Sequence, residues 1–179
     1  MRKSVTNWTD RPIPREVWDI VLEAARRAPS SWNHQPARYV VITDEGMKRA
    51  IGRVLHRCNA WAVNAAGIVV QFADPRDDDE VDGKAYYLYD CGCAMMSLIH
   101  QAQRLGISAR QMIGFDEFQL KRELDIPDGC RVTVVTGLGY PSSSALSGVL
   151  ADAKRRVTNQ HRRYAMHHLV AWQRWRREQ

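Results

Sequence analysis

Between residues 86 and 105 the chain carries its longest helical pattern, and this stretch limits the possible folds more than any other. Leu88, Cys91, Ala94, Met95, Met96, Leu98, Ile99 and Ala102 leave the helix apolar around most of its circumference. Such a helix has to be buried, in a core or against another subunit. A chain of 179 residues has one core of modest size, so a subunit interface is the expected place. Gly106 follows directly, and glycine enters the left-handed turn that ends a helix at no steric cost.

The remaining pattern is mixed. After Pro12 and Pro14 a helix is expected over residues 15–28, with Val17, Ile20, Val21, Ala24 and Ala28 as its apolar stripe and Pro29 as its stop. Residues 39–42 are wholly apolar and predict a short strand in the centre of a sheet. A second helix is expected over 45–56, a strand over 65–72, a short helix over 115–124 and a β-branched strand over 131–138. The run from Asp74 to Gly83 is so acidic that it is expected not to pack and to be mobile. With no regular strand–helix repeat, no internal repeat and no linker, the order fits a single α+β domain over residues 1–179.

Composition narrows the function. Hydrophobic residues at 45% and charged residues at 26% are those of a globular protein, and no apolar run approaches the length of a membrane span. Met1–Ser4 lacks the apolar stretch of a secretory signal, and Cys58, Cys91, Cys93 and Cys130 show no zinc-ligand spacing, so a reducing, cytoplasmic setting is expected. The net charge of +6 sits in a basic extension: residues 154–179 hold eight Lys or Arg against one Glu. No nucleic-acid motif accompanies it, and nucleic-acid and membrane partners are not expected. His167 and His168 are adjacent and point different ways in any regular structure, so no metal pair is expected there, and His34 lacks an evident acid–base partner.

Between the first helix and the first strand lies Ala28-Pro29-Ser30-Ser31-Trp32-Asn33-His34-Gln35-Pro36. Its hydroxyl and amide groups offer neutral donors and acceptors, suited to a planar, uncharged polar partner. The same residues also make an ordinary helix-to-strand turn. Four segments together resemble the FMN-dependent nitroreductase family: Arg2-Lys3-Ser4-Val5, the 28–36 loop, Tyr86 through Gly106 to Ile113-Gly114-Phe115-Asp116, and Val134 to Pro141 with its Gly-Leu-Gly-Tyr-Pro ending. The resemblance covers most of the chain in the family's order.

That resemblance implies a homodimer built on mixed, mostly antiparallel sheet flanked by helices, with FMN at the subunit interface. It implies that NADH or NADPH delivers hydride to the flavin, which then reduces a small nitroaromatic or quinone-like acceptor. An oxidase or dehalogenase on the same fold, or a protein that only sequesters FMN, are the alternatives. No catalytic side chain is expected, because the flavin carries the chemistry. By matching position, Arg2, Lys3 and Ser4 would meet the FMN phosphate, while Thr6 stands where a second basic residue is usual. Pro29, Ser30, Ser31, Asn33 and Gln35 would line the ribityl chain and ring, with Trp32 in place of a small residue. Gly114 would bring its backbone N–H to the flavin, with Ile113 replacing a polar residue or glycine. Further cations for the phosphate would come from Lys154-Arg155-Arg156 or from Arg162 and Arg163, the latter favoured by the 169–175 segment that follows.

Overall fold

The computed structural model describes residues 4–142, 165–166 and 169–173, and the chain divides after Ser142. Expectations for Arg2, Lys3, Arg162, Arg163 and the 154–156 cluster therefore lie outside the described residues.

In chain order the elements are α1 (Arg15–Arg26), β1 (Arg38–Ile42), α2 (Glu45–Val54), β2 (Gly67–Ala73), β3 (Glu80–Val81), β4 (Lys84–Ala85), α3 (Tyr87–Arg104), β5 (Ser108–Met112), α4 (Glu117–Glu123) and β6 (Arg131–Gly139). Short 3-10 turns occupy Ser31–Asn33, Arg57–Asn64 and Pro75–Asp77. The main sheet runs β1-β2-β6-β5, every pairing antiparallel, and β3 and β4 form a separate small hairpin. The fold is α+β as expected, but the sheet is wholly antiparallel among the described residues rather than mixed.

Both faces of the sheet are covered. On one, α1 and α3 bury Trp18, Val21, Met95, Leu98 and Ile99 against Val69, Ala109 and Leu138. On the other, Ile51, Val54 and Leu120 from α2 and α4 pack on Ile68, Val70 and Val135. Covering from both sides explains why β2 is apolar at all positions but one, since neither set of alternating side chains faces open water. Gln71 is the polar exception on β2. Its amide donates to the Cys91 carbonyl at 2.9 Å, and its Oε1 accepts from the Thr133 hydroxyl at 2.8 Å. It thereby ties α3 to the sheet where the β2–β6 register shifts, and a buried amide is tolerated only with such partners.

Three expectations are corrected, and one strand is added that no sequence signal marked. β1 lies at the sheet edge, not its centre, because β2 pairs on its other side with β6. The buried face of α1 is Trp18, Val21 and Ala25, and Ile20 is exposed; Trp18 fills the place left open by Gly67, where any Cβ would meet its ring. The polar strand β5 has no apolar run to announce it and is held by pairing with β6. The acidic segment is structured and partly packed: Asp74 accepts from the Arg76 N–H at 2.9 Å, β3 and β4 follow, and the Asp78 side chain is wholly buried while Asp77 and residues 80–83 stay exposed. In α3 the buried residues are Tyr87, Asp90, Cys91, Ala94, Met95, Leu98, Ile99 and Ala102, a single stripe spent within the chain. Gly106 ends that helix at φ +76°, in the left-handed region.

Candidate cofactor site at one end of the sheet

Met112 pairs with Val135, Val135 with Val70, and Val70 with Val40. The exit from β5 and the entry to β1 therefore share one end of the sheet. They sit on its opposite edges, about 14 Å apart at the usual strand spacing. The segment leaving β2 toward Asp78 emerges at the same end. Three parts of the chain meet this end: the 28–36 loop, residues 74–86 and residues 113–116.

Sterically costly backbone shapes the loop. Trp32, Asn33 and Gln35 all have left-handed φ, at 44°, 62° and 52°. For residues with a Cβ this conformation costs roughly 1–2 kcal/mol each, so surrounding bonds must hold it. The Ser30 hydroxyl accepts from the Gln35 N–H at 2.9 Å, and the Gln35 amide donates to the Asn33 carbonyl at 3.0 Å. Arg38 Nη1 donates to the Gln35 carbonyl at 2.6 Å. The result leaves Trp32 87% exposed, and the Asn33 amide side chain has no partner among the described residues. Beneath the loop a cavity of about 180 Å³ is lined by Pro29, Ser30, Gln35, Tyr39, Asp90 and Ala94. That is smaller than an ordinary small-molecule pocket of roughly 300–1,000 Å³, so the loop by itself does not enclose a cofactor.

Acidic groups that the sequence did not single out anchor the loop. The Ser31 N–H donates to Asp90 Oδ2 at 2.7 Å, and its hydroxyl donates to Asp79 Oδ2 at 2.8 Å. Ser31, expected to face a cofactor, thus has both donors engaged inside the protein. His34 has partners after all: its Nδ1 lies 3.2 Å from Asp78 Oδ1 and 3.9 Å from Asp79 Oδ2. Burial, together with the adjoining Asp78 carboxyl, raises the Asp90 carboxyl above the usual carboxylate range, against the Ser31 N–H that lowers it. Charge at Asp90 and Asp79 could have been noticed from sequence only by knowing that the 74–86 segment folds back onto the loop.

At the other edge, the Gly114 carbonyl accepts from the His56 N–H at 3.0 Å and from Asn59 Nδ2 at 2.9 Å. Asn59 is a buried side chain whose role no sequence signal marks. A Cβ at position 114 would lie 3.1 Å from Asn59 Nδ2 and from His56 Nδ1. A side chain there would have to push these two groups aside, whatever approaches from outside. The Gly114 N–H has no acceptor among the described residues, and neighbouring Ile113 is 85% exposed. Ser4 is described and partly buried.

Comparison with known proteins decides the family. The sequence matches the Nitroreductase family over residues 1–60 and 54–140. The chain belongs to the nitroreductase family. A nitroreductase family protein from Clostridium novyi NT superposes with a TM-score of 0.76 at 30% identity, over 80% of this chain and 82% of that one. The crystal structure of an oxidoreductase containing FMN superposes with a TM-score of 0.82 at 26% identity, over 99% of this chain and 90% of that one. NADH dehydrogenase from Thermus thermophilus is 27% identical over 178 residues, 79% of this chain and 83% of its own length. Membership gives the nitroreductase-like sheet and helices described above, and no described helix is long and apolar enough to cross a membrane.

Proposed function

We propose that this member of the nitroreductase family binds FMN and uses NADH or NADPH to reduce small aromatic or quinone-like acceptors. The observation that carries the reading is the end of the sheet itself. A neutral, left-handed loop leaves the Asn33 amide without a partner, and the opposite edge leaves the Gly114 N–H without an acceptor beside exposed Ile113. Unpartnered neutral donors next to exposed apolar side chains suit the edge and face of a planar heteroaromatic ring. The relative that contains FMN, at 26% identity over 99% of this chain, supports the same choice.

When bound, FMN supplies the hydride and electron chemistry. The residues of this chain bind and orient it. Asn33 and Gln35, on the rigid loop, are assigned to the ring and ribityl chain, with Pro29, Ser30 and Ser31 shaping their backbone. Gly114 offers its N–H, and Asn59 anchors the residue by bonding its carbonyl, in the next peptide unit. Ile113 and Trp32 exclude water from the ring faces. Arg2, Lys3, Ser4, Arg162 and Arg163 are assigned to the phosphate, where arginine's planar donors are well matched to an oxyanion. The separation of about 14 Å between the two edges, estimated from strand spacing, supports a site completed by a second copy of the chain.

The absorption spectrum of the purified protein tests this. A flavin spectrum, bleached by NADH or NADPH and restored by a nitroaromatic or quinone, is expected. Protein that neither carries nor takes up FMN would end the reading, and tight FMN without bleaching would indicate a sequestering protein instead.

A further inference from the structure

The nitroreductase reading leaves unexplained the cluster that anchors the loop. His34, Asp78 and Asp79 each offer one ligand atom, and the three atoms lie within 4.8 Å of one another. His34 Nδ1 is 3.2 Å from Asp78 Oδ1 and 3.9 Å from Asp79 Oδ2. Two ligand atoms bound to one first-row cation at its usual bond lengths lie about 3.0–3.4 Å apart, so the first pair already has the spacing and the second is about half an ångström wide.

A second observation points to a ligand. The Asp78 side chain is completely buried; no N–H or alcohol hydroxyl among the described residues donates to its Oδ2, and the carboxyl that faces Asp78 is that of Asp90. A buried carboxylate oxygen without a donor is costly, and proteins resolve such groups by pairing them or by coordinating a metal. Pairing falls short here. Asp78, Asp79 and Asp90 bring three carboxyls together, with the Asp78 and Asp90 carboxyls against each other. The Arg38 guanidinium bonds the Gln35 and Ala37 carbonyls and lies 3.6 Å from Asp77. Ser31 donates to Asp79 and Asp90 and the Asp79 N–H donates to Asp78 Oδ1 at 2.8 Å, but the one basic side chain beside Asp78 and Asp79 among the described residues is His34.

We propose that His34, Asp78 and Asp79 form a binding site for a first-row divalent cation, with one imidazole and two carboxylates as ligands and solvent completing the shell. Imidazole with carboxylates suits zinc or manganese. The Ser31 hydroxyl, 2.8 Å from Asp79 Oδ2, orients that ligand as an outer partner of the metal. A cation here clamps the 28–36 loop to residues 78–79 and so fixes the backbone that presents Asn33 and Gln35. The site does not rest on the flavin reading, because its ligands are not among the groups assigned to the cofactor.

The test is calorimetric titration of the full-length, EDTA-treated protein with zinc at neutral pH, with and without FMN. One site with micromolar or tighter affinity is expected, weakened at least tenfold in both His34→Gln and Asp79→Asn, while His100→Gln binds as the parent does. Zinc absorption spectroscopy on the unaltered protein, which needs no variant, is expected to show only nitrogen and oxygen neighbours near 2.0–2.1 Å. No binding at 0.1 mM zinc, equal affinity in all variants, or a sulfur neighbour near 2.3 Å would overturn the site. In the first case the buried acids share a proton instead.

Discussion

Trp32 is a side chain held in left-handed backbone, φ 44°, while 87% exposed. It gains little from packing and bears the conformational strain, so Trp32→Gly should stabilise the protein by about 0.5–1 kcal/mol in urea unfolding. A loss of stability would mean that the indole packs against something in solution. Gly114 is the opposite case, where a Cβ would press on the Asn59 and His56 side chains at 3.1 Å. Gly114→Ala should destabilise by roughly 1–3 kcal/mol through overpacking against Asn59 and His56. It should also weaken FMN binding about tenfold, a shift equal to ~1.4 kcal/mol, and fluorescence titration with FMN reads this directly. Unchanged affinity would remove Gly114 from the cofactor site. Asp90 gives a pH signature. Burial raises its carboxyl above the usual range, so the native state favours the protonated form. Its favourable contribution is complete below the unfolded pKa and is lost as pH rises through the raised native value. In EDTA, Asp90→Asn should therefore raise the urea midpoint at pH 7 relative to the parent and give no such gain at pH 3.

At the scale of elements, the join between α4 and β6 depends on one carboxylate. Glu117 Oε1 accepts from Arg131 Nε at 3.0 Å and from the Val132 N–H at 2.8 Å, and Oε2 accepts from Arg131 Nη2 at 3.2 Å. Burial pushes the Glu117 carboxyl up, but the Arg131 and Val132 donors outweigh it and hold it below its ordinary value. A depressed acid contributes its stability above the unfolded pKa and loses it as pH falls through the native one. Glu117→Gln should thus cost about 1–2 kcal/mol at pH 7, and the difference from the parent should shrink as pH drops below 4. A difference that persists unchanged at pH 2.5 would show that the fork of hydrogen bonds, not the charge, joins the two elements. The loop and the acidic segment form a second joint of this kind, with Ser31 donating to both Asp90 and Asp79.

For the whole molecule, the question is what covers the apolar groups left outside. Leu88 and Tyr89 on the first turn of α3, Phe118 on α4, and Ile113 all remain exposed. The stripe of α3 itself is filled by α1 and the sheet, and the large apolar residues this helix leaves exposed are Leu88 and Tyr89 on its first turn. A homodimer that buries these residues is the proposed assembly. Light scattering should give twice the 20.5 kDa chain mass at micromolar concentration, and Leu88→Lys should shift the species toward monomer with reduced FMN content. A monomer that retains FMN would refute a site shared between copies. On the cofactor side, Arg163→Ala should weaken FMN by about 1.5–3 kcal/mol while leaving riboflavin affinity unchanged, since only FMN carries the phosphate.

Elements whose signal is local can be read from the chain without its fold. The apolar runs of β2 and β6, the stripe of α3, its stop at Gly106 and the turn chemistry of the 28–36 loop are all set by neighbours along the chain. Motif order over most of the chain was enough for the family resemblance. Tertiary structure alone decided what depends on distant partners. Edge or centre for β1 is a matter of which strand β2 also pairs with, and β5 is a strand only because β6 offers it a ladder. An acidic run reads as solvated until partners from elsewhere arrive; here His34 meets Asp78 and Ser31 donates to Asp79, each more than 40 residues away in sequence. Local hydrophobic periodicity is carried by adjacent residues, whereas burial of charge depends on groups that only folding brings together.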